Sequence, residues 1–187
     1  MKSAATHHTS ALTDTRRLAR MLRTLRATAP AMKVELDHGT PWELLVATIL
    51  SAQCTDQRVN QVTPALFRRY RRPQDYVEAD PAELEALIRP TGFFKTKAKH
   101  LIHCAKSVVE TFDGQVPDTM EALTGLPGVG RKTANVLLGN AFDKPAIVVD
   151  THVKRVAGRL HLTRHTDPDK VERDLQQLLP AEDWTEG

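Results

Sequence analysis

Hydrophobic residues recur along this chain with the spacing of helices. Near the N-terminus, apolar residues occupy positions i, i+3, i+4 and i+7 of one segment, at Leu18, Met21, Leu22 and Leu25. This spacing puts them on one face of a helix. Residues 44–51 are apolar almost throughout, so their helix is expected at the centre of a core. Residues 146–149 have a strand-like composition but are too few and too isolated to form a sheet. The pattern predicts an all-α protein.

Helix starts are marked by side chains that can cap free backbone amides. Residues 40–43, Thr-Pro-Trp-Glu, combine a threonine cap, a proline at the first helical position and a glutamate three residues after the cap. Residues 80–83 and 118–121 repeat this device, and Thr63-Pro64 and Asp167-Pro168 are interpreted in the same way. A helix is therefore expected to begin at each of these five places.

The amount and distribution of charge indicate how the chain could bind nucleic acid. The net charge of the 187 residues is only +3, so a surface for nucleic acid must come from local clusters of basic residues. Three such clusters consist of Arg16, Arg17, Arg20, Arg23 and Arg26; Arg68, Arg69, Arg71 and Arg72; and Lys95, Lys97, Lys99 and Lys106. The first two are interpreted as solvated helix faces. The third follows a glycine loop and is expected to contact phosphate.

The remaining composition favours a cytoplasmic protein without a metal. Residues 1–10 lack an apolar stretch, so they are neither a signal peptide nor a membrane anchor and are expected to be disordered. No apolar run approaches the roughly 20 residues of a membrane-spanning helix. Cys54 and Cys104 do not suggest a disulfide framework and are expected to be small core residues. The histidines show no metal-ligand spacing.

Residues 126–134, Leu-Pro-Gly-Val-Gly-Arg-Lys-Thr-Ala, form the most informative local pattern. Gly128 and Gly130 allow a tight turn with outward-facing amides, and a helix starting at Arg131 adds unpaired amides and the positive end of its dipole. Such a turn can hold a phosphate. A Walker A nucleotide loop is a weaker interpretation, because Arg131 replaces its lysine and a helix, not a buried strand, is expected before the turn. A plain helix–helix turn with a solvated lysine is the remaining alternative.

Together with three other segments, this hairpin resembles the helix-hairpin-helix of the endonuclease III family of DNA glycosylases. The other segments keep the family's order and spacing: Leu-Leu-Val-Ala-Thr-Ile-Leu-Ser-Ala-Gln at 44–53 followed by Thr55-Asp56, Thr-Gly-Phe-Phe at 91–94 with Lys97-Ala98, and Val-Asp-Thr-His-Val-Lys-Arg-Val at 149–156. The likeness extends from about Leu18 to Pro180 and implies the helix-hairpin-helix glycosylase fold. Residues 34–144 would form a six-helix barrel that includes the hairpin. Residues 11–33 and 145–187 would form a discontinuous second helical domain, incomplete at the C-terminus, with the flipped nucleotide in the cleft between the domains.

The resemblance implies a monomeric enzyme of base excision repair that acts on double-stranded DNA with a damaged pyrimidine or an abasic site. Such an enzyme removes oxidised pyrimidines as an N-glycosylase and cleaves the strand as an AP lyase by β-elimination. Lys132 would attack C1′ of the sugar and form the Schiff base. Asp150 would stabilise positive charge on the sugar while capping the helix that begins at Thr151. Adenine glycosylases with a similar hairpin typically lack the lysine, so removal of oxidised pyrimidines is favoured.

The resemblance also implies DNA contacts. Gln53 matches the residue that inserts opposite the lesion, and Phe93 replaces a leucine that usually enters the minor groove. A polar helix end and an ordinary core residue are the alternatives for these two, and a structural role is the alternative for His152. The full set of expected DNA contacts is Gln53, Phe93, Lys97, Gly128, Gly130, Arg131, Thr133 and His152.

One part of the family pattern is missing from this sequence. Endonuclease III proteins usually hold a 4Fe–4S cluster through four cysteines, spaced C-x6-C-x2-C-x5-C, after the segment that matches Trp184. This chain ends at Gly187, and Cys54 and Cys104 cannot supply about four closely spaced thiolates. No cofactor is therefore expected here unless a longer C-terminus exists, either because the chain is a shortened form or because it belongs to a branch without the cluster. The rival function is a non-catalytic or weakly active helix-hairpin-helix DNA-binding module.

Overall fold

The computed structural model describes residues 35–184 and, before them, Arg20, Met21, Arg23, Thr24 and Ala27. The described residues form helices joined by turns, and none of them belongs to a strand. The predicted all-α class is confirmed. The five N-terminal residues are helical, whereas the predicted disorder of residues 1–10 and most of the predicted helix around Leu22 lie outside the described residues. No helix in this part of the chain has the length and apolar character needed to cross a membrane.

The helices differ widely in length. They are α1 (Pro41–Ser51), α2 (Asp56–Arg69), α3 (Pro73–Val77), α4 (Pro81–Ile88), α5 (Phe94–Phe112), α6 (Met120–Thr124), α7 (Arg131–Ala141), α8 (Thr151–Arg159) and α9 (Pro168–Leu178), with 3₁₀ turns at Arg89–Thr91 and Ala181–Asp183.

Four of the five predicted helix starts are confirmed by their caps. Thr40 accepts a hydrogen bond from the Glu43 amide at 3.2 Å, and Asp80 accepts one from the Ala82 amide at 2.9 Å. At residues 118–121 the helix begins one residue later than the pattern predicts, because Thr119 and not Asp118 is the cap. Asp167 caps α9. Each side chain replaces a backbone acceptor that the first turn of a helix lacks.

The predicted start at Thr63-Pro64 is wrong. Both residues lie inside α2, which begins at Asp56 and has Thr55 as its cap. The buried face of α2 includes Val59, Val62 and Thr63 before the proline and Leu66 after it. Each buried aliphatic side chain contributes about 1.5–3 kcal/mol, so together they outweigh the about 3 kcal/mol that a proline costs inside a helix.

The chain divides into two compact units, one spanning Val34–Lys144 and the other including the residues from Pro145 onward. In the first unit, α1 packs against α2, α5 and α7, and its Leu44, Leu45 and Leu50 are completely buried. The expected central position of this helix is thus confirmed. The second unit has its own core, formed by Ile147, Val149, Ala157, Val171 and Leu175. The barrel and the discontinuous second domain stay predictions.

Candidate functional site

The hairpin between α6 and α7 is a short turn anchored by two buried side chains. Leu126 and Val129 are both nearly inaccessible to solvent. The Val129 amide donates to the Leu126 carbonyl oxygen at 3.1 Å, and Gly128 between them has a φ of 81°. The apolar residues of the pattern therefore hold the turn in place, while its glycines shape the backbone.

The two hairpin glycines have different surroundings. A Cβ atom added at Gly128 would lie 3.0 Å from the Cβ atom of His100, and its positive φ favours glycine in any case. Gly130 has an ordinary φ of −94°, and an added Cβ atom there would meet no atom within 4 Å. Gly128 is thus required by the fold, whereas Gly130 leaves open space beside the start of α7.

That open space lies beside the start of α7. The N-cap of α7 is Gly130, which has no side chain with which to cap the first turn. Arg131, Lys132 and Thr133 form the first turn, and the Lys132 side chain is exposed. The backbone amides and the positive end of the dipole at a helix N-terminus favour an anion such as phosphate. The Walker A alternative is wrong, because α6 precedes the turn and no described residue near it belongs to a strand.

A cavity of about 290 Å³ lies beside this hairpin. Five residues predicted from the sequence line it, namely Gln53, Phe93, Lys97, Gly128 and Thr133. They come from the turn after α1, the start of α5 and the hairpin. The structure therefore brings together side chains that lie as much as 80 positions apart in the sequence.

Gln53 and Phe93 are exposed residues in an unusual backbone conformation. Their φ angles are 54° and 48°, in the left-handed region that residues other than glycine seldom adopt. The Phe93 side chain is 68% exposed, so it is not the ordinary core residue of the alternative interpretation. Strained, exposed residues of this kind occur preferentially at functional sites.

The prediction that Lys97 contacts DNA requires a correction. The sequence predicted a DNA contact for this residue, but it is only 4% exposed. Its Nζ atom donates to the carbonyl oxygens of Leu50 and Thr91, both at 2.8 Å. Burial lowers the pKa of the amine. The ammonium group is turned into the protein and does not offer a charge to a phosphate.

The other lysines of this cluster fall into two groups. Lys95 and Lys99 line a groove of about 660 Å³ together with His100, His103 and the hairpin residue Gly128. Lys106 lies 3.8 Å from Glu110 in an ion pair on the same helix. Lys95 and Lys99, which line the groove beside the hairpin, are therefore the members of the cluster to which the predicted phosphate contact still applies.

The arginine cluster at the end of α2 has acidic partners. Arg69 donates from Nε and Nη2 to the Glu83 carboxylate, at 2.8 and 3.0 Å, and Arg72 lies 3.5 Å from Asp75. The hydrogen bond from Arg69 lowers the pKa of Glu83. These pairs fit the interpretation of the cluster as a solvated face.

Asp150 belongs to the second unit and caps α8. Its Oδ1 atom accepts hydrogen bonds from the amides of His152 and Val153, both at 2.8 Å. The predicted cap is confirmed, and it fixes the orientation of a half-buried carboxylate. His152 is exposed, and its Nδ1 atom lies 3.2 Å from Nη2 of Arg155.

Metal and cluster ligands do not assemble in the described part of the chain. No group of three or more His, Cys, Asp or Glu side chains there could hold a metal ion. Cys104 is buried in α5, where burial raises the pKa of its thiol to about 12, and Cys54 is half-buried after α1. With two cysteines in all, the residues present do not fit a cluster that needs about four thiolates.

Sequence reasoning missed His100. It lines both the cavity and the groove, and its ring lies against Gly128. The available signal was its spacing, since His100 follows Phe93 by seven positions and Thr96 by four, which puts all three on one face of a helix.

Comparisons with known proteins agree on one family. Residues 46–181 match the model of the HhH-GPD superfamily base excision DNA repair protein. Endonuclease III of Synechocystis sp. is 53% identical over 169 residues, which cover 90% of this chain and 77% of the relative. Endonuclease III of Bacillus subtilis is 47% identical over 157 residues, covering 83% and 72% of the two chains.

Solved structures give the same result. A trapped covalent intermediate of endonuclease III with DNA superimposes with a TM-score of 0.87 at 42% identity, covering 91% of this chain and 81% of that chain. A thermostable thymine-DNA glycosylase has a TM-score of 0.78 at 22% identity, which is evidence for the fold alone.

Proposed function

The chain belongs to the HhH-GPD superfamily of base excision DNA repair proteins, and on that premise we propose a bifunctional DNA glycosylase and AP lyase that removes oxidised pyrimidines from double-stranded DNA. The identity to proteins named endonuclease III over most of both chains supports an enzyme of this type. The observation that carries the lyase proposal is the exposed Lys132 in the first turn of a helix without a side-chain cap. A lysine there lies beside the space in which a DNA phosphate would bind.

In the proposed reaction Lys132 acts as the nucleophile. Its amine attacks C1′ of the damaged nucleotide, and the bond from C1′ to the base breaks, so that the base leaves with the electron pair. Opening of the sugar ring gives a Schiff base between C1′ and the Lys132 nitrogen. The Schiff base accepts electrons when a proton leaves C2′, the C3′–O bond breaks and the 3′ phosphate departs. Water then releases the lysine.

Asp150 contributes a carboxylate to the same chemistry. Breaking the bond between sugar and base develops positive charge on the sugar, which a fixed anion stabilises. The two amides that bind Oδ1 hold the carboxylate in a single orientation. Preorganisation of this kind avoids reorganisation during the reaction.

Side chains that line the cavity, together with the start of α7, bind and distort the DNA. The N-terminal end of α7 holds a backbone phosphate through its helix dipole and backbone amides. Phe93 enters the base stack as an apolar wedge, and the Gln53 amide fills the space left by the flipped nucleotide and bonds the orphaned base. The exposure of both side chains supports these roles.

Neither step transfers electrons to an external acceptor, so the proposed reaction needs no redox cofactor. We place the enzyme in the cytoplasm as a monomer. A single size-exclusion peak at the mass of one chain, measured without DNA, checks the oligomeric state.

Borohydride trapping tests the proposed function. The full chain is mixed with duplex DNA that contains thymine glycol or an abasic site, and borohydride reduces any Schiff base to a stable adduct. We expect an adduct and a nicked strand with the wild-type protein and with the control Lys106→Ala, which removes a lysine on the same unit that pairs with Glu110. Lys132→Ala should bind abasic DNA without forming the adduct.

Two results contradict the proposal. Trapping that survives in Lys132→Ala assigns the nucleophile to another amine. Tight, lesion-independent binding of the wild-type protein without any adduct favours the alternative, a helix-hairpin-helix DNA-binding module without catalysis.

A further inference from the structure

Lys97 is a buried cation that the proposed chemistry does not use. Its Nζ atom bonds two backbone carbonyl oxygens, those of Leu50 and Thr91, which belong to separate segments of the chain. Burying an amine is unfavourable unless its hydrogen bonds are made, and burial lowers the pKa of this one. The positions of these two carbonyl oxygens in the fold indicate the role of the Lys97 ammonium group.

The first acceptor lies at the C-terminal end of α1. In a continuing helix the Cys54 amide would donate to the Leu50 carbonyl oxygen, but it donates instead to Ser51 at 3.0 Å. Lys97 supplies the missing donor, and no other donor from the described residues reaches Leu50. A cation at this end of a helix is also favoured by the dipole. Three residues further on lies Gln53, with its left-handed backbone.

The second acceptor lies just before α5. Thr91 ends the 3₁₀ turn, and its buried hydroxyl donates to the Ile88 carbonyl oxygen at 2.8 Å. Lys97 Nζ donates to the Thr91 carbonyl oxygen at 2.8 Å. Two residues further on lies Phe93, which is also left-handed. A single ammonium group therefore fixes the backbone that leads into each of the two exposed residues.

We propose that Lys97 is a positioning residue whose ammonium group holds Gln53 and Phe93 at the separation and orientation at which both enter DNA together. The inference rests on the proposed function, in which these two side chains replace the flipped nucleotide and part the base stack. Left-handed residues other than glycine persist only where their surroundings determine the conformation. Lys97 provides that constraint for both loops at once.

Lys97 is distinct from the nucleophile. Lys97 is 4% exposed and its Nζ atom is bonded to two carbonyl groups, whereas Lys132 is exposed. Loss of Lys97 should therefore leave Schiff-base formation on a preformed abasic site intact while impairing recognition of the lesion. This separation makes the inference testable.

The test uses the full chain and a duplex that contains a tetrahydrofuran abasic analogue opposite 2-aminopurine. The fluorescence of 2-aminopurine rises when the base leaves the stack. In Lys97→Met we expect loss of most of this rise and an about tenfold smaller preference for the lesion duplex over undamaged DNA. The trapping rate at saturating abasic DNA should stay within about threefold of wild type.

The matched control is Lys144→Met. Lys144 also donates to a backbone carbonyl, that of Asp118, within the same unit, and it lines neither the cavity nor the groove. It should behave as wild type in both measurements.

A double-mutant cycle separates positioning from general destabilisation. If Lys97 acts through Gln53, the losses of lesion preference in Lys97→Met and Gln53→Ala should not add, because each removes the same interaction. Additive losses, or wild-type fluorescence in Lys97→Met, would overturn the inference. If Lys97→Met shows no cooperative thermal unfolding, Lys97→Gln takes its place with the same criteria, since an amide on a shorter side chain cannot serve both carbonyls. A wild-type protein that shows neither trapping nor lesion preference would instead overturn the proposed function.

Discussion

Two glycines in the hairpin should respond differently to the same substitution. Gly128→Ala places a side chain at a φ of 81° and 3.0 Å from His100, so we expect a loss of about 2 kcal/mol in the free energy of unfolding. Gly130→Ala meets no neighbouring atom and should cost about 1 kcal/mol or less through the weaker cap. Thermal unfolding should show a fall in Tm of about 4–8 °C for the first and at most about 4 °C for the second.

Substitution of Gly130 should weaken DNA binding even though it changes the free energy of unfolding little. Because Gly130 leaves open space at the start of α7, a methyl group there should obstruct a phosphate and weaken affinity for lesion DNA about tenfold. Fluorescence anisotropy at fixed salt measures the affinity. Wild-type affinity in Gly130→Ala would show that no phosphate approaches this position.

Gln53→Ala should impair the response to a lesion without impairing the fold. Gln53 is exposed, and alanine has the same difficulty as glutamine with the left-handed backbone. The loss of a hydrogen bond to the orphaned base should cost about 1–2 kcal/mol, or about tenfold in excision rate, with unchanged affinity for undamaged duplex. The control is Gln57→Ala, an exposed glutamine on α2 that does not line the cavity. Equal losses on damaged and undamaged DNA would count against the insertion of Gln53.

The sequence predicted the structural roles of some single residues but not of others. The cap at Asp150 was predictable, because an aspartate before an apolar helical stripe has a local physical meaning. Lys97 was not predictable, because two lysines two positions from it on the same helix are exposed while it faces inward. That difference arises from the end of α1, which is far away in the sequence and close in space. The left-handed backbone of Gln53 and Phe93 has the same tertiary origin.

The exposed face of α5 should supply part of the electrostatic affinity for DNA. Lys95 and Lys99 lie one turn apart and line the groove beside the hairpin. If each neutralises one phosphate, Lys95→Gln/Lys99→Gln should reduce the slope of log K against log salt by about 1.8, since each contact contributes about 0.9. Titrations at several salt concentrations with undamaged duplex measure this slope.

The control for this prediction removes the same charge elsewhere. Lys106→Gln/Lys170→Gln changes two lysines that lie outside the groove, one of them paired with Glu110. Its slope should match wild type. Equal slopes for the two double variants would show that Lys95 and Lys99 act only through net charge.

Helices were predicted well where a cap was present and less well where packing decided the outcome. The caps at Thr40, Asp80 and Asp167 use local hydrogen bonds that the sequence specifies directly. Pro64 also has the local signature of a helix start, but α2 continues through it because the buried face on both sides is continuous. Packing against neighbouring helices provides the energy that keeps α2 continuous at Pro64. A local sequence pattern contains no information about this packing.

The two compact units have separate cores, and the larger should fold alone. Its buried side chains centre on α1, and a domain of about 100 residues is large enough to be stable. A fragment of residues 34–144 should therefore give a helical circular dichroism spectrum and a cooperative thermal transition. It retains Lys132, Gln53 and Phe93, so it should still bind DNA that contains an abasic analogue. A fragment without a cooperative transition would show that the larger unit depends on the remainder of the chain.

The fragment lacks Asp150, and this allows binding to be separated from base removal. If the carboxylate stabilises charge on the sugar, the fragment should release thymine glycol at least about a hundredfold more slowly than the full chain. Asp150→Asn in the full chain should reproduce this loss while keeping the fold, because asparagine caps a helix as well as aspartate does and retains an oxygen for the amides of His152 and Val153. Single-turnover excision assays give both rates. A wild-type rate in Asp150→Asn would restrict Asp150 to its structural role as a cap, and the slow fragment would then reflect the loss of the second unit as a whole.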